Sequence, residues 1–348
     1  MCPVILELKK RGSFCVKVAV SGQHREMLRE VLDLFGITPD YDMNIMKVGQ
    51  SLSDITLLVM RGMENILDET LPDIVLVHGD TSTAYAAALS AFFRRIPVGH
   101  IEAGLRTYDT AAPFPEEFNR RAIALIASLH FAPTEAAKRN LLSEGCRNIY
   151  VTGNTVIDAL LATTSEKREL PLPPPLIGKP IVLLTVHRRE SLGEPMRRVL
   201  CAVGEIAKKY PDTAVVYPVH KNPDIVAMAN SVLSHIPNVF LSKPIGVLDF
   251  HNILASSVLV LTDSGGVQEE ACALGIRTLV LRETTEREEA LRECGARLVG
   301  TSEDKIISAA DEYLGGAPLS ARLRKKIKPN PYGDGFASQR IADILSGI

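Results

Sequence analysis

Five polar runs stand at the ends of apolar, β-branched stretches, and they hold many of the side chains here that could move a proton or bind an anion. His78-Gly79-Asp80 closes one stretch, His100 and Glu102 another, His187-Arg188-Arg189-Glu190 a third, His220 a fourth, and Asp263-Ser264-Gly265-Gly266 a fifth. Asp, Ser and Gly also favour turns and helix caps, so any single run is equally well read as a strand-end turn. Five together, at the strand ends where open parallel sheets bind ligands, point to chemistry. Carboxylates such as Asp80, Glu102 and Glu116 suit proton transfer to or from carbon. Glu102 follows an apolar run, where a carboxylate without a partner is costly, so it belongs at a ligand cleft. Pro115, Glu116 and Glu117 suit a solvated helix start, with Arg120 and Arg121 each four residues on.

The segment "DSGGVQEEACALG", residues 263 to 275, is more specific. Ser264, Gly265 and Gly266 lead into a helical pattern, so unhindered backbone N–H groups at a positive helix end would meet a diphosphate-like anion. Glu270, one turn in, is placed for a ribose diol. The chain contains neither GxGxxG nor GxxxxGK[ST], which argues against a nicotinamide or flavin cofactor and against a P-loop nucleotidase. No metal-ligand spacing is present, so neither a metal nor another cofactor is expected.

The elements that must position these groups follow from the rhythm of the chain. Apolar runs at 16–20, 73–80, 96–104, 129–134 and 149–154 alternate with segments of helical period, as parallel strands joined by crossover helices do. "SEKRELPLPPPLIGKP", residues 165 to 180, carries five prolines and reads as a linker. The rhythm resumes at 181–187, 213–220, 238–244, 258–266 and 278–283. The expected fold class is α/β, with two doubly wound domains and a cleft between them. The first spans residues 1–166, the linker 167–180 and the second 181–332. Residues 333–348 hold a final helix that crosses back to the first domain. The N-terminus breaks the pattern, because Val4, Ile5 and Leu8 have helical spacing and the first element is therefore a helix.

Composition bounds the partners. The 348 residues are 46% hydrophobic and 23% charged with a formal net charge of -2, which indicates neither a nucleic-acid surface nor an acidic tail. A small molecule is the expected partner. "AIALIASLHFA" at 122–132 is too short to span a bilayer, and the N-terminus has no signal-peptide pattern. Six cysteines are scattered singly and read as reduced, mostly buried thiols, which favours a cytoplasmic location.

The runs "HGDTSTAYAAALSAF", "VGHIEAGLRTYDTAAPFPEEFNRR", "VTGNTVIDAL", "HRRES", "YPVHKNP" and "LTDSGGVQEEACALG" resemble, in register over nearly the whole chain, the non-hydrolysing UDP-N-acetylglucosamine 2-epimerases. The resemblance implies two Rossmann-like domains of the GT-B architecture, a homodimer, and interconversion of UDP-N-acetylglucosamine and UDP-N-acetylmannosamine without a redox cofactor, for cell-envelope polysaccharides. It assigns Asp80, Glu102 and Glu116 to proton transfers and their orientation, and His187 to the diphosphate or sugar. It assigns Ser264, Gly265, Gly266 and Glu270 to the diphosphate and ribose, Arg287 to the leaving phosphate and Phe250 to the uracil environment, leaving Glu117 as a helix-start residue. Gln23, His24 and Gln50 match a regulatory substrate pocket. Glu288 stands where the family has proline, and an acidic neighbour there is expected to weaken the hold of Arg287. The family begins with a strand and a "GTRPEAIK" loop without counterpart here, so an N-terminally shortened epimerase is expected. A sheet lacking that strand leaves two strands unpaired or changes the strand order. A hydrolysing epimerase, a retaining glycosyltransferase and an inactive sugar-nucleotide-binding paralogue are the competing readings.

Overall fold

Alternation of side chains along the apolar runs lets each strand bury both faces, and in a computed structural model those runs form parallel strands covered by helices. The structure describes residues 1–22, 25–47, 49–165, 168–186, 192–315 and 330–348. The chain divides into two units, Met1–Ala159 with Tyr332–Ile348, and Leu160–Pro331.

Unit 1 begins with helix α1 (Cys2–Arg11), as the spacing of Val4 and Leu8 requires; both are buried. There follow β1 (Ala19–Val20), α2 (Arg25–Leu34), β2 (Tyr41–Asp42), α3 (Leu52–Thr70), β3 (Val75–His78) and α4 (Ser82–Phe93). Then come β4 (Val98–Ile101), α5 (Glu116–Ile126), β5 (Leu129–Ala132), α6 (Glu135–Ser143), β6 (Ile149–Val151) and the first half of α7 (Thr155–Thr164). The strands form two parallel sheets, a pair β1-β2 and a four-stranded sheet in the order β3-β4-β5-β6. No strand pairing among the described residues joins the two sheets. Each sheet therefore has two edge strands among the described residues, β1 and β2 in the pair and β3 and β6 in the larger sheet.

The four-stranded sheet is covered on both faces. Val77 and Val98 pack with Val59, Met63 and the alanines of α4, while Ile101, Leu129 and Phe131 pack with Val4, Leu8, Ile341 and Ala342. The last two residues belong to α14 (Ala337–Ser346), so the C-terminal helix completes this core beside α1. Its start is capped from elsewhere in the chain. The buried Asp158 carboxylate on α7 accepts from the Ala337 amide at 3.2 Å, the Ser338 amide at 2.8 Å and the Ser338 hydroxyl at 2.5 Å.

The division of the chain falls inside α7, and the proline-rich stretch belongs to unit 2, where Leu170 and Leu172 pack on a buried cluster. Unit 2 contains β7 (Ile181–Thr185), α8 (Glu194–Lys209), β8 (Ala214–Pro218), α9 (Pro223–Leu233), β9 (Val239–Ser242), α10 (Val247–Ser256) and β10 (Ser257–Thr262). It continues with α11 (Gly265–Leu274), β11 (Arg277–Val280), α12 (Glu288–Glu293), β12 (Arg297–Leu298) and α13 (Glu303–Leu314). All six strands are parallel, in the order β12-β11-β10-β7-β8-β9. Val182 and Leu184 of β7 face one core cluster and Ile181 and Leu183 the other, so period-2 alternation along one strand separates the two faces. The chain winds outward from β7 through β8 and β9, then returns to the other side at β10. That reversal is the topological switch point, where doubly wound sheets open a crevice.

Candidate active site

In unit 1 two of the predicted carboxylates, Asp80 and Glu102, lie at the carboxyl ends of β3 and β4. Glu102 follows β4 directly and is held at φ 62, a left-handed conformation that costs a side chain about 1 to 3 kcal/mol and is kept where the surroundings enforce it. Its carboxylate accepts from Asn154 Nδ2 at 3.3 Å, and its Oε2 lies 4.0 Å from His78 Nε2. A Cβ on Gly79 would sit 3.1 Å from the same oxygen, so glycine there leaves the carboxylate its room. His78 is crowded by protein atoms although 31% of its side chain stays accessible; this desolvation, helped by the positive N-terminal amine, holds the imidazole neutral, with its pKa well below the usual value.

Asp80 ends the turn after β3. Its Oδ2 pairs with Arg120 Nη2 at 2.6 Å, and its carbonyl accepts from Asn119 Nδ2 at 2.9 Å, so the start of α5 is tied to the end of β3. Directly after it, Thr81 caps α4 by accepting from the Ala84 amide at 3.2 Å. Behind the turn, the fully buried His100 binds the Gly79 carbonyl through Nε2 at 2.8 Å. A carbonyl only accepts, so Nε2 carries the proton; Nδ1 has no hydrogen-bond partner among the described residues. Burial pushes this imidazole down to about 3, which makes His100 a neutral buttress for the Gly79-Asp80 turn.

Glu116 is half-buried at the first position of α5. Its neighbour differs from expectation. Glu117 is fully buried, and its carboxylate accepts from the Thr107 and Tyr108 amides at 3.0 Å each, which fixes the loop between β4 and α5. The expected four-residue pairings are also absent: Arg120 reaches Asp80 and, at 3.5 Å, Glu117, while Arg121 lies 4.0 Å from Glu144. Arg120 is buried and takes Asp80 as a tertiary partner, whereas Arg121 stays on the surface. Gln23 and His24 lie outside the described residues. Gln50 lines a surface depression of about 420 Å3 with Lys47, Asp54 and Arg61, but its amide is engaged at both ends, accepting from the Lys47 amide at 2.8 Å and donating to the Ile45 carbonyl at 2.7 Å.

In unit 2 the ends of β7 and β10 meet at the switch point. His187 lies outside the described residues. Thr185 and Thr262 close the two strands with a 2.6 Å hydroxyl contact, and Thr262 also accepts from the Ser264 amide at 2.9 Å, which shapes the turn into α11. Ser264 precedes the first helical residue. A Cβ on Gly265 would strike the Arg287 guanidinium at 2.8 Å, whereas one on Gly266 would meet nothing within 4 Å. The first glycine thus admits Arg287 and the second leaves the helix start open, as an anion cradle requires. Arg287 donates through Nε to Glu269 at 2.9 Å and through Nη1 to Glu286, and Glu286 also receives Arg282 at 3.0 Å; all four side chains are buried. Glu288, expected to weaken Arg287, instead pairs with Arg292 at 2.7 Å on an exposed surface.

Glu270 is buried and its Oε1 lies 3.3 Å from His251 Nε2, while His251 Nδ1 meets the Thr163 hydroxyl at 2.6 Å. Its other oxygen, Oε2, has no hydrogen-bond partner among the described residues, although it is buried. A buried acceptor in that state calls for a donor, from an ordered water or a ligand hydroxyl. Phe250 packs against the cluster formed by Ile253, Leu254 and Val267, its ring 6.1 Å from that of His251.

The cysteines depart from expectation. Cys272 on α11 and Cys294 after α12 form a disulfide with a Cα–Cα distance of 5.2 Å, while Cys2, Cys15, Cys146 and Cys201 are free. Spacing along the chain could not show this, because the pair is brought together by parallel crossovers after β10 and β11. Sequence reasoning also missed Asn154, Glu269 and Glu286, and it read Glu117 only as a helix-start residue. "VTGN" at the end of an apolar run was the available signal for Asn154, whereas the others become visible only through non-local partners.

Among the described residues no group of three or more His, Cys, Asp or Glu could hold a metal ion, and no helix is long and apolar enough to cross a membrane. Two parallel α/β units, one with an open glycine-led helix start at its switch point, place the chain in the GT-B-like class. Residues 6–346 match the family model for UDP-N-acetylglucosamine 2-epimerase, and the chain belongs to that family. The UDP-N-acetylglucosamine 2-epimerase of Bacillus subtilis strain 168 is 47% identical over 347 residues, which cover 99% of this chain and 91% of that protein. The enzyme of that name from Escherichia coli K12 is 46% identical, covering 99% and 94%. The crystal structure of the Neisseria meningitidis UDP-GlcNAc 2-epimerase bound to UDP-GlcNAc superposes with a TM-score of 0.93 at 43% identity, over 100% of this chain and 96% of the other.

Proposed function

We infer that this protein catalyses the reversible C2 epimerisation of UDP-N-acetylglucosamine to UDP-N-acetylmannosamine, without hydrolysis. Family membership over residues 6–346 supports the substrate and the epimerisation. The observation that carries the chemistry is the Glu102 carboxylate, held in a left-handed conformation at a strand end beside His78 and Asn154. The C2 hydrogen of the sugar is not next to a carbonyl, so its direct removal has a very high barrier. Departure of UDP changes this. The C1–O bond breaks with its electron pair going to UDP, a carboxylate takes the C2 proton, and the C1=C2 bond of 2-acetamidoglucal forms. Protonation of C2 on the opposite face and attack of a UDP oxygen on C1 complete the inversion. Acid/base groups are needed on both faces of the ring, and Asp80, Glu102 and Glu116 supply them.

The diphosphate is held by Ser264, Gly265 and Gly266 at the start of α11, with Arg287 on the leaving phosphate, where a positive group stabilises charge as it develops. The unmatched Glu270 Oε2 suits a ribose hydroxyl. Phe250 borders the uracil, and His187 acts at the diphosphate or sugar. The domain assignment of residues 1–166, 181–332 and 333–348 around a 167–180 linker is kept in this reading, as is a cytoplasmic location in cell-envelope polysaccharide synthesis. A homodimer is supported by exposed Leu57, Phe92, Phe93, Phe118 and Leu125 on the neighbouring helices α3, α4 and α5. A regulatory pocket at Gln23, His24 and Gln50 would have to release the Gln50 amide from its backbone partners.

Incubation with UDP-N-acetylglucosamine, followed by chromatographic separation, tests the reaction. A mixture of the two sugar nucleotides is expected. Free N-acetylmannosamine and UDP as the sole products would replace this reading with the hydrolysing one, and UDP binding without turnover would favour the inactive paralogue.

A further inference from the structure

We propose that the Cys272–Cys294 disulfide is a positioning cross-link for the phosphate end of the site, holding Arg287 against the glycine-led start of α11. This rests on the assignment of Ser264, Gly265, Gly266 and Arg287 to the nucleotide phosphates. Cys272 sits on α11 two residues after Glu270, and Cys294 lies at the C-terminal end of α12, the short helix that follows Arg287. The bond therefore joins the helix that presents the anion cradle to the helix that begins just after the arginine. Both sulfur-bearing residues are buried, at 2% and 4% exposure, so the link lies within the packed wall behind the site. A second tie acts on the same group, because Glu269 of α11 accepts from Arg287 Nε at 2.9 Å. Gly265 lets the guanidinium approach to a distance that a single Cβ would obstruct.

Ion pair and cross-link together leave Arg287 one position relative to α11. The six-residue α12 makes few turns of its own and contributes one buried residue, Ala290, to the packing. Without the bond, the register of Arg287 depends on non-covalent contacts such as those to Glu269 and Glu286, and a misplacement of a charged clamp by about 1 Å lowers turnover on the order of 100-fold in unfavourable cases. Reduction by a dithiol yields the two thiols and the cyclic disulfide of the reductant; glutathione disulfide restores the bond and is itself reduced to two glutathiones.

Thiol titration of the unreduced, denatured protein, together with UDP affinity, tests the proposal. Four reactive thiols are expected before reduction and six after it. The Cys272→Ser/Cys294→Ser protein, or reduced wild-type protein if that variant does not fold, is expected to bind UDP about tenfold more weakly and to lose kcat/KM by a similar factor. Re-oxidation restores both in the wild type, and reductant leaves the folded double variant unchanged. Six thiols before reduction would overturn the cross-link. A lower melting temperature with unaltered UDP affinity and kcat/KM would make it a structural staple and overturn its positioning role. UDP binding by neither redox form would instead overturn the functional reading, and this inference with it.

Discussion

Glu102 differs from Glu117 and Asp158 of unit 1 in what surrounds it. Glu117 and Asp158 accept from backbone amides and hold loops and helix starts, whereas Glu102 meets the Asn154 and His78 side chains at 3.3 and 4.0 Å. Replacing Glu102 or Glu116 by Gln keeps volume and removes acid/base capacity. Turnover is expected to fall on the order of 100-fold or more, with UDP binding retained; near-full activity would remove that residue from the catalytic set. His100 is a residue of another kind. Its folded pKa of about 3 lies below the ordinary 6.5, so from pH 6.5 down to 3 the unfolded chain binds a proton that the folded chain rejects. Stability from this group is complete above pH 6.5 and is lost as pH falls, by on the order of 3 kcal/mol at pH 4. His100→Gln keeps a donor for the Gly79 carbonyl but does not titrate. Its unfolding free energy is expected to vary less steeply between pH 7 and 4 than that of the wild type, in denaturant titrations at each pH. These roles were partly legible beforehand. Glu102 stood out because a carboxylate ended an apolar run, but Glu117 looked like a helix-start residue, since the loop amides that bury it come from nine and ten residues away.

At the scale of elements, strand ends were legible and edges were not. Apolar runs such as "DIVLVHGD" and "VLVLTDSGG" became β3 and β10 within a few residues, because parallel strands buried on both faces are written as continuous β-branched stretches. The two-residue strands β2 and β12 are too short to leave a period. The links that set helix starts are non-local too: Asp80 to Arg120 across 40 residues, and Asp158 to Ser338 across 180. Asp158→Ala removes three buried bonds at the start of α14, and a loss of about 2 to 4 kcal/mol of stability is expected. Asp158→Asn, which retains an acceptor, should lose less. Thermal or urea unfolding checks this ranking, and equal stability of both variants with the wild type would show that α14 needs no cap from α7.

The whole molecule carries more exposed apolar surface than its two cores explain. Leu57, Phe93 and Leu125 are 59%, 64% and 83% exposed on three helices that neighbour one another. Sedimentation is expected to give twice the chain mass, and Phe93→Asp with Leu125→Asp should shift the protein toward the chain mass; a wild-type monomer at micromolar concentration would leave that surface without its proposed partner. The disulfide was invisible to reasoning from spacing because its two halves follow different strands, and so was the carboxylate network around Arg287. What the sequence did carry at this scale was the order of motifs, from "HGD" to "DSGGVQEE", which pointed to an epimerase before any geometry was known. That identity makes one demand that no binding protein or hydrolase meets: the C2–H bond must break and re-form while UDP is retained. The decisive measurement is the reaction of UDP-N-acetylglucosamine in deuterated water, followed by NMR of the sugar nucleotides. Appearance of UDP-N-acetylmannosamine with deuterium at C2, and gradual labelling of the starting sugar nucleotide at the same carbon, is expected. Conversion without deuterium at C2, or release of free sugar and UDP alone, would contradict epimerisation through elimination and readdition.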